Sequence, residues 1–312
     1  MPKRTLPRLL QTPAVVLLLI WMLVPLSMTL YFSFIRYVLN SFNRPEWTSP
    51  SLSNWRGFGN YKYVLDAKDF WLAIQNSVFI VSSILILTVI LGLAIAVLIN
   101  RSFPGRGIVR VLLISPFFVM PAVNAVLWIN MILDPVLGLN GLAVGGVNNI
   151  VDGLRDFPVL GSFFSMWPEF EPISFRATQT SSYAVIMMVS WQWTPFAVLI
   201  FMTSLQSEDE SQKEAATLDG ANAWSKFINL TVPHLARPIA IVVMIQSIFH
   251  LSLYAEIEIV SRGNGNKNLP YLIGEFTSNN IGAASATGIF AVILANIIAI
   301  FLLRVVGKSL MD

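Results

Sequence analysis

The sequence of 312 residues contains no cysteine, two histidines and few charged side chains. Without cysteine the chain forms no disulfide and offers no thiolate to a metal ion, and two histidines are too few for a metal site. No Ser/His/Asp arrangement indicates an enzyme. Charged residues make up 12% of the chain, roughly half the fraction in a soluble domain. The pI of about 9.2 does not indicate nucleic-acid binding, because the basic residues form no patch with interleaved aromatics.

The few charges are unevenly distributed, and six stretches of at least 18 residues contain no Asp, Glu, Lys or Arg. Such a length suffices for a helix that rises about 1.5 Å per residue to cross a bilayer. A charge at mid-bilayer costs about 2.5 to 3.5 kcal/mol, so charge-free runs are typical of spans. The sequence therefore predicts an all-α membrane protein with one transmembrane domain over residues 1–312. The predicted spans are about 12–35, 72–99, 111–133, 183–205, 238–257 and 282–303.

The density of Lys and Arg between the spans predicts the orientation, because cytoplasmic segments carry the excess. With six spans both termini lie on one side. If that side is the cytoplasm, the inner segments hold 11 Lys/Arg in 64 residues and the outer segments hold 9 in 105. We therefore expect both termini in the cytoplasm. Residues 137–150 are apolar but rich in Gly and Asn, which favours a re-entrant or surface segment over a seventh span.

The longest predicted cytoplasmic segment, residues 206–237, has the pattern of two short helices joined by a turn. Ser207 with Glu210, or Ser211 with Glu214, is predicted to form the capping box that starts the first helix. The pair 219–220, Asp-Gly, fits a helix stop in which the glycine is left-handed.

The second helix is predicted to run from Ala221 to about residue 230, before Pro233 limits it. It places Trp224, Phe227 and Ile228 on one face. A helical hairpin held beneath the membrane by a span on each side is suited to docking another protein. The alternative interpretation is a solvated connector, in which an Ala-rich helix and a Gly turn are common.

Nine residues of this segment follow one pattern: Glu214, Ala215, Ala216, Asp219, Gly220, Ala221, Trp224, Phe227 and Pro233. The pattern resembles the EAA loop of ABC-importer permeases. In that family the short helix of the loop is the coupling helix, which sits in a cleft of a cytoplasmic ATPase subunit. The resemblance implies that these nine residues couple the chain to such an ATPase.

Further segments resemble the carbohydrate and polyol permeases of the maltose and glycerol-phosphate type. They are Gly57-Phe58-Gly59-Asn60-Tyr61, Leu65-Asp66, Phe70-Trp71, Asn76-Ser77 and Gly282-Ala283-Ala284-Ser285-Ala286. One departure is Gly263-Asn264-Gly265-Asn266, where family members often have a Gly-Gly-Pro turn. The resemblance implies the ABC type I importer architecture in the bacterial inner membrane and a carbohydrate or polyol substrate. It also implies two ATPase copies, a second homologous permease and an extracytoplasmic solute-binding protein as partners.

A nucleotide site of its own is not predicted for this chain. Gly307-Lys308-Ser309 resembles the end of a phosphate-binding loop, but the earlier glycine that this motif requires would be at position 302, which is Leu. No cofactor is therefore expected here, and ATP and Mg²⁺ are expected in the partner ATPase.

Polar and aromatic residues inside the fourth and fifth spans are candidates for the substrate pathway, because each needs a partner or a water-lined cavity in hydrocarbon. The candidates are Trp191, Gln192, Trp193, Gln246, Phe249, His250 and Tyr254. The alternative is that they join helices within the bundle. Pro116 and Pro121 are expected to kink the third span. Two other functional hypotheses remain. One is a secondary transporter driven by an ion gradient, although intramembrane ionisable residues are few. The other is a membrane scaffold or assembly factor, which would not need the EAA-like loop.

Overall fold

The computed structural model describes residues 5–38, 52–155 and 161–311, and these ranges are almost entirely helical. Extended pairing within them is limited to two isolated bridges, Ile35 with Trp55 and Val38 with Asn280. The predicted all-α class is confirmed. The chain divides into two compact units, one of residues 1–74 with 269–296 and the other of residues 75–268 with 297–312. The single domain over residues 1–312 stays a prediction.

Over the described ranges, four helices are individually long and apolar enough to cross a membrane. They are Thr5–Ser33, Lys68–Asn100, Ser181–Leu205 and Ile281–Met311. These helices contain the first, second, fourth and sixth predicted spans apart from a few end residues. Their ends differ from the prediction because backbone hydrogen bonding stops at caps and turns, not at the first charged residue.

The third span is broken. Its two helices, Arg106–Phe118 and Pro121–Ile132, meet at an angle of 102°. Met120 has extended backbone, with φ −60° and ψ 139°, as the residue before a proline prefers. Pro121 then starts the second helix, where its missing N–H costs no hydrogen bond. The prolines bend this span as predicted, and the bend divides it into two helices.

The fifth predicted span, 238–257, also differs from a single helix. One helix, Ala236–His250, ends within this range, and a separate helix, Ala255–Ser261, begins five residues later. The hydroxyl of Ser252 donates to the carbonyl oxygen of Phe249 at 2.7 Å, which satisfies a backbone group at the end of the helix. At its other end Ala236–His250 is bent by 55° against the helix Ala223–His234. Over the described residues, counting each bent pair as one span gives up to six spans.

The core of the larger unit lies where the second and fourth spans meet the helix of residues 236–250. Ala197, Phe201 and Val242 are fully buried there. A Cβ on Gly92 would lie 2.7 Å from the Cβ of Ala197, so glycine lets the second span approach the fourth. Because lipid tails are as apolar as leucine, close van der Waals packing holds such helices together.

In the other unit, polar contacts secure the end of the first span. Asn60 is fully buried, and its Nδ2 donates to the carbonyl oxygens of Ser33 at 2.9 Å and Ile35 at 2.8 Å. The hydroxyl groups of Ser33 and Tyr61 are 2.7 Å apart. A Cβ on Gly282 would lie 2.5 Å from the Ile35 carbonyl oxygen. Asn60 and Gly282, two residues of the family resemblance, therefore both contact the chain at the end of this span.

The predicted outer segment 134–182 contains a helix of 17 residues, Leu139–Arg155. Asn148 exchanges hydrogen bonds of 2.9 and 3.0 Å with the backbone of Phe170. Nε of Arg155 donates to the carbonyl oxygen of Phe164 at 3.1 Å. The chain folds back along this helix, which is not among the candidate membrane spans of the described residues.

Residues 263–266, which differ from the Gly-Gly-Pro turn of the family, form a left-handed turn. Arg262, Gly263 and Gly265 have φ of 52°, 74° and 80°. The hydroxyl of Thr178 donates to Oδ1 of Asn264 at 2.9 Å, and a Cβ on Gly265 would lie 1.9 Å from the Thr178 carbonyl oxygen. Glycine at position 265 is therefore required both by φ and by the close backbone contact.

Candidate coupling hairpin and transport pathway

Residues 206–237 contain the two predicted helices, and we call this segment the hairpin. Its first helix is Glu210–Leu218, and Asp209 caps it by accepting a hydrogen bond of 2.9 Å from the backbone N–H of Ser211. The capping boxes predicted with Ser207 or Ser211 are therefore wrong. Asp209 has the extended backbone of an N-cap residue. Hydrogen bonds from the Ser211 side chain and backbone lower the pKa of Asp209 below its ordinary value of 3.8.

The turn of the hairpin is left-handed at glycine, as predicted. Gly220 has a φ of 82°. The backbone N–H groups of Gly220 and Ala221 donate to the carbonyl oxygens of Thr217 at 3.1 Å and Ala216 at 2.9 Å. These two bonds form a Schellman motif, which needs a residue that tolerates positive φ.

The second helix of the hairpin begins at Ala223, two residues later than predicted. Asn222 is its N-cap, because Oδ1 of Asn222 accepts a hydrogen bond of 2.8 Å from the backbone N–H of Ser225. The start of this helix is thus set by a side chain that the sequence analysis did not use.

Pro233 does not end the second helix, which corrects the prediction. The helix widens into a π turn over Phe227–Thr231 and continues to His234. At this turn the backbone N–H of Val232 bonds to the carbonyl oxygen of Phe227, five residues back. The wider turn accommodates a proline, since proline has no N–H and its ring would crowd the regular α-helical carbonyl.

Large apolar side chains of the hairpin are exposed. Leu218 is 89%, Trp224 70% and Ile228 42% exposed. The half-buried ring of Phe227 packs against Trp224, with ring centroids 5.7 Å apart. Glu214 is exposed on the first helix. Sequence reasoning found Trp224, Phe227 and Ile228 but treated Leu218 only as a helix former.

The structure places the nine predicted coupling residues on this hairpin. Ala215, Asp219 and Pro233 are exposed and Ala216 is half-buried. Sequence reasoning missed Glu208, whose buried carboxylate contacts both helices of the hairpin. The signal in the sequence that could have identified Glu208 is a charged residue at the end of a span. No local pattern identifies the residues that it contacts.

Four of the seven candidate pathway residues lie together. The ring of Trp193 packs against those of Phe249 and His250, with centroids 5.1 and 5.0 Å away. Gln246 is fully buried, donates to the carbonyl oxygen of Trp193 at 3.3 Å and accepts from the hydroxyl of Thr88 at 2.7 Å. Among the described residues, neither ring nitrogen of the buried His250 has a hydrogen-bond partner. The cluster therefore combines aromatic faces with unused hydrogen-bonding capacity.

Gln192 lies in a separate arrangement. Its Oε1 accepts a hydrogen bond of 2.9 Å from Nδ2 of Asn124, and its Nε2 donates to the carbonyl oxygen of Val119. Val119 lies at the break in the third span. Gln192 thus joins the fourth span to that break, which is the helix-to-helix role named as the alternative.

Trp191 contacts residues outside the Trp193 cluster. Trp191 lines a cavity of about 830 Å³ with Trp128 and Ser190, and the two tryptophan rings are 5.8 Å apart. Tyr254, 44% exposed, precedes the short helix of residues 255–261. The seven candidates therefore occupy several places in the described structure.

Comparison with known families decides what these features belong to. Residues 88–312 match the family of the binding-protein-dependent transport system inner membrane component. The chain belongs to this family. The match includes the hairpin and the Trp193 cluster, and it establishes the chain as an inner membrane protein, as expected from the sequence.

Two relatives illustrate the similarity. A probable ABC transporter permease of Sinorhizobium fredii is 31% identical over 73% of this chain and 65% of its own length. The chain therefore spans just under two thirds of that relative. The trehalose/maltose transport system permease MalF of Thermococcus litoralis is 27% identical over 80% of this chain and 79% of its own length.

A solved structure confirms the expected fold. A bacterial alginate ABC transporter, in complex with a periplasmic protein that holds an alginate pentasaccharide, contains a chain that superimposes with a TM-score of 0.71. The match covers 96% of this chain and 93% of the other, at 18% identity. The membrane permease architecture inferred from the resemblance is thus confirmed.

Proposed function

We propose that the chain is the membrane-spanning permease subunit of an ATP-driven importer, with both termini in the cytoplasm. The observation that carries this proposal is that three large apolar side chains of the hairpin, Leu218, Trp224 and Ile228, are exposed together with Glu214. Apolar side chains clustered on an exposed face favour docking onto another protein. The docking partner is the cytoplasmic ATPase, and the nine predicted coupling residues form the site.

The complete importer contains two ATPase copies, a second homologous permease and an extracytoplasmic solute-binding protein. ATP and Mg²⁺ bind to the ATPase and not to this chain. Gly307-Lys308-Ser309 supports this assignment, because it lies inside the helix Ile281–Met311, whereas a phosphate-binding loop precedes its helix. The periplasmic protein in the alginate transporter complex is consistent with a binding-protein partner.

The transported substrate is a carbohydrate or polyol, which crosses by alternating access. Sugars present apolar ring faces and many hydroxyl groups, and the Trp193 cluster offers a matching set of groups. Trp193 and Phe249 provide aromatic faces, while Gln246 and His250 provide hydrogen-bonding groups. The name of the Thermococcus relative, a trehalose/maltose permease, points to the same substrate class.

Affinity purification of a tagged chain from native membranes tests the proposal. We expect recovery of an ATPase, a different homologous permease and, with crosslinking, a solute-binding protein. Recovery of a complex that contains two copies of this chain with ATPases would contradict the pairing of this chain with a different permease. Recovery without any ATPase would contradict the importer.

A further inference from the structure

A buried carboxylate lies at the base of the hairpin. The side chain of Glu208 is 6% exposed. Its Oε1 accepts a hydrogen bond of 2.9 Å from the hydroxyl of Thr231, and its Oε2 is 3.0 Å from Nζ of Lys213. One side chain thus contacts both helices of the hairpin, since Lys213 lies in the first and Thr231 in the π turn of the second.

The position of Glu208 in the chain adds a third element. It follows the fourth span, which ends at Leu205, and precedes the first hairpin helix, which begins at residue 210. Two further contacts across the hairpin are exposed. Nζ of Lys226 donates to the hydroxyl of Thr217 at 3.0 Å, and Nε2 of His234 lies 3.5 Å from the hydroxyl of Ser207. Solvent screens exposed pairs, whereas removing one partner from a buried charge leaves the other without compensation.

We infer that Glu208 is a positioning residue that holds the hairpin at a fixed angle to the fourth span. Movement imposed on the hairpin by the ATPase then reaches the span through Glu208, Lys213 and Thr231, because contiguous polar contacts move as a unit. The inference rests on the proposed coupling role of the hairpin and adds the residue that transmits it. Glu208 itself is buried and therefore does not contact the ATPase.

Transport per ATP hydrolysed is the readout that separates positioning from general stability. Glu208→Gln keeps the shape and an acceptor for Thr231 but removes the charge facing Lys213. We expect the variant to recover the ATPase normally on purification. The amount of substrate moved per ATP hydrolysed should fall about fivefold or more, because one charge-assisted contact is lost. The matched control is Glu210→Gln, which changes an exposed carboxylate at the start of the first hairpin helix and should leave the ratio unchanged.

Thr231→Val removes the other contact without changing side-chain shape, and it serves as the test if Glu208→Gln lowers the level of the chain in the membrane. The double variant should be less impaired than the sum of the two single variants, because both act on one network. Additive effects would show that the two residues act independently and would overturn the inference.

The hairpin geometry can be measured directly, since the chain has no cysteine of its own. Spin labels on Gln212→Cys and Asn229→Cys, both exposed, report the distance between the two hairpin helices. In the assembled importer, Glu208→Gln should broaden or shift this distance distribution, and Glu210→Gln should not. An unchanged distribution together with an unchanged transport ratio would overturn the inference.

Glu214→Lys, measured alongside, separates this inference from the proposed function. If Glu214→Lys abolishes uptake while Glu208→Gln behaves as wild type, the positioning role is wrong and the coupling assignment stands. If Glu214→Lys has no effect, the coupling assignment fails, and the inference fails with it.

Discussion

Replacing Gly220 with valine tests the hairpin turn through backbone conformation alone. Gly220 has a φ of 82°, and no heavy atom beyond its chain neighbours lies within 4 Å of a Cβ placed there. A valine side chain therefore meets no steric obstacle, and its effect comes from the left-handed conformation. That conformation costs an L-residue about 1–2 kcal/mol, and a branched Cβ adds to this cost. The native turn should be depopulated by roughly 5- to 30-fold.

We expect Gly220→Val to lower ATP-driven uptake by at least about fivefold and to weaken ATPase recovery, while the chain still inserts into the membrane. Uptake into vesicles and ATPase recovery on affinity purification measure the two effects. Gly220→Asn is the matched control, since asparagine tolerates the left-handed region, and it should retain most activity. Equal uptake by the valine variant and the wild type would refute the assigned role of this turn.

Three further predictions concern the hairpin, the Trp193 cluster and the proposal that ATP binds to the partner ATPase. Glu214→Lys reverses a charge on the exposed hairpin and should abolish uptake and ATPase recovery at a normal membrane level; retained recovery on purification would contradict this. Trp193→Ala removes the ring packed against His250 and should lower uptake with normal ATPase recovery, and equal uptake by this variant and the wild type would argue against the pathway. Thr88→Val removes a hydroxyl that bonds to Gln246 but leaves the aromatic rings in place, so it should have a smaller effect. The purified chain should release no phosphate from ATP, and activity that persists through repurification would argue for a site of its own.

The spans could be predicted from the sequence because charges are costly in hydrocarbon, whereas the breaks within them could not be fully predicted. Pro121 indicates a bend in the third span. The angle of 102° accompanies contacts with another helix, since Gln192 of the fourth span bonds to Val119 and Asn124 on either side of the break. A single sequence gives no signal for contacts of this kind.

In the hairpin, too, features set by local sequence could be predicted and features set by distant contacts could not. The glycine turn could be predicted because Asp219 and Gly220 form a local signal with its own hydrogen bonds. The N-cap could not, because several side chains between residues 207 and 211 can cap a helix. Which side chain caps the helix depends on where the helix starts. That start lies close to Glu208, and Glu208 is held by a hydrogen bond from Thr231, a residue 23 positions away in the sequence.

Uptake by the purified importer in proteoliposomes tests the central claim most directly. Vesicles that contain the chain with its partner permease and ATPase are supplied with the loaded binding protein on the outside and ATP on the inside. The account predicts carbohydrate or polyol uptake that requires internal ATP and continues when ion gradients are collapsed. Uptake driven by an imposed ion gradient without ATP would contradict the account.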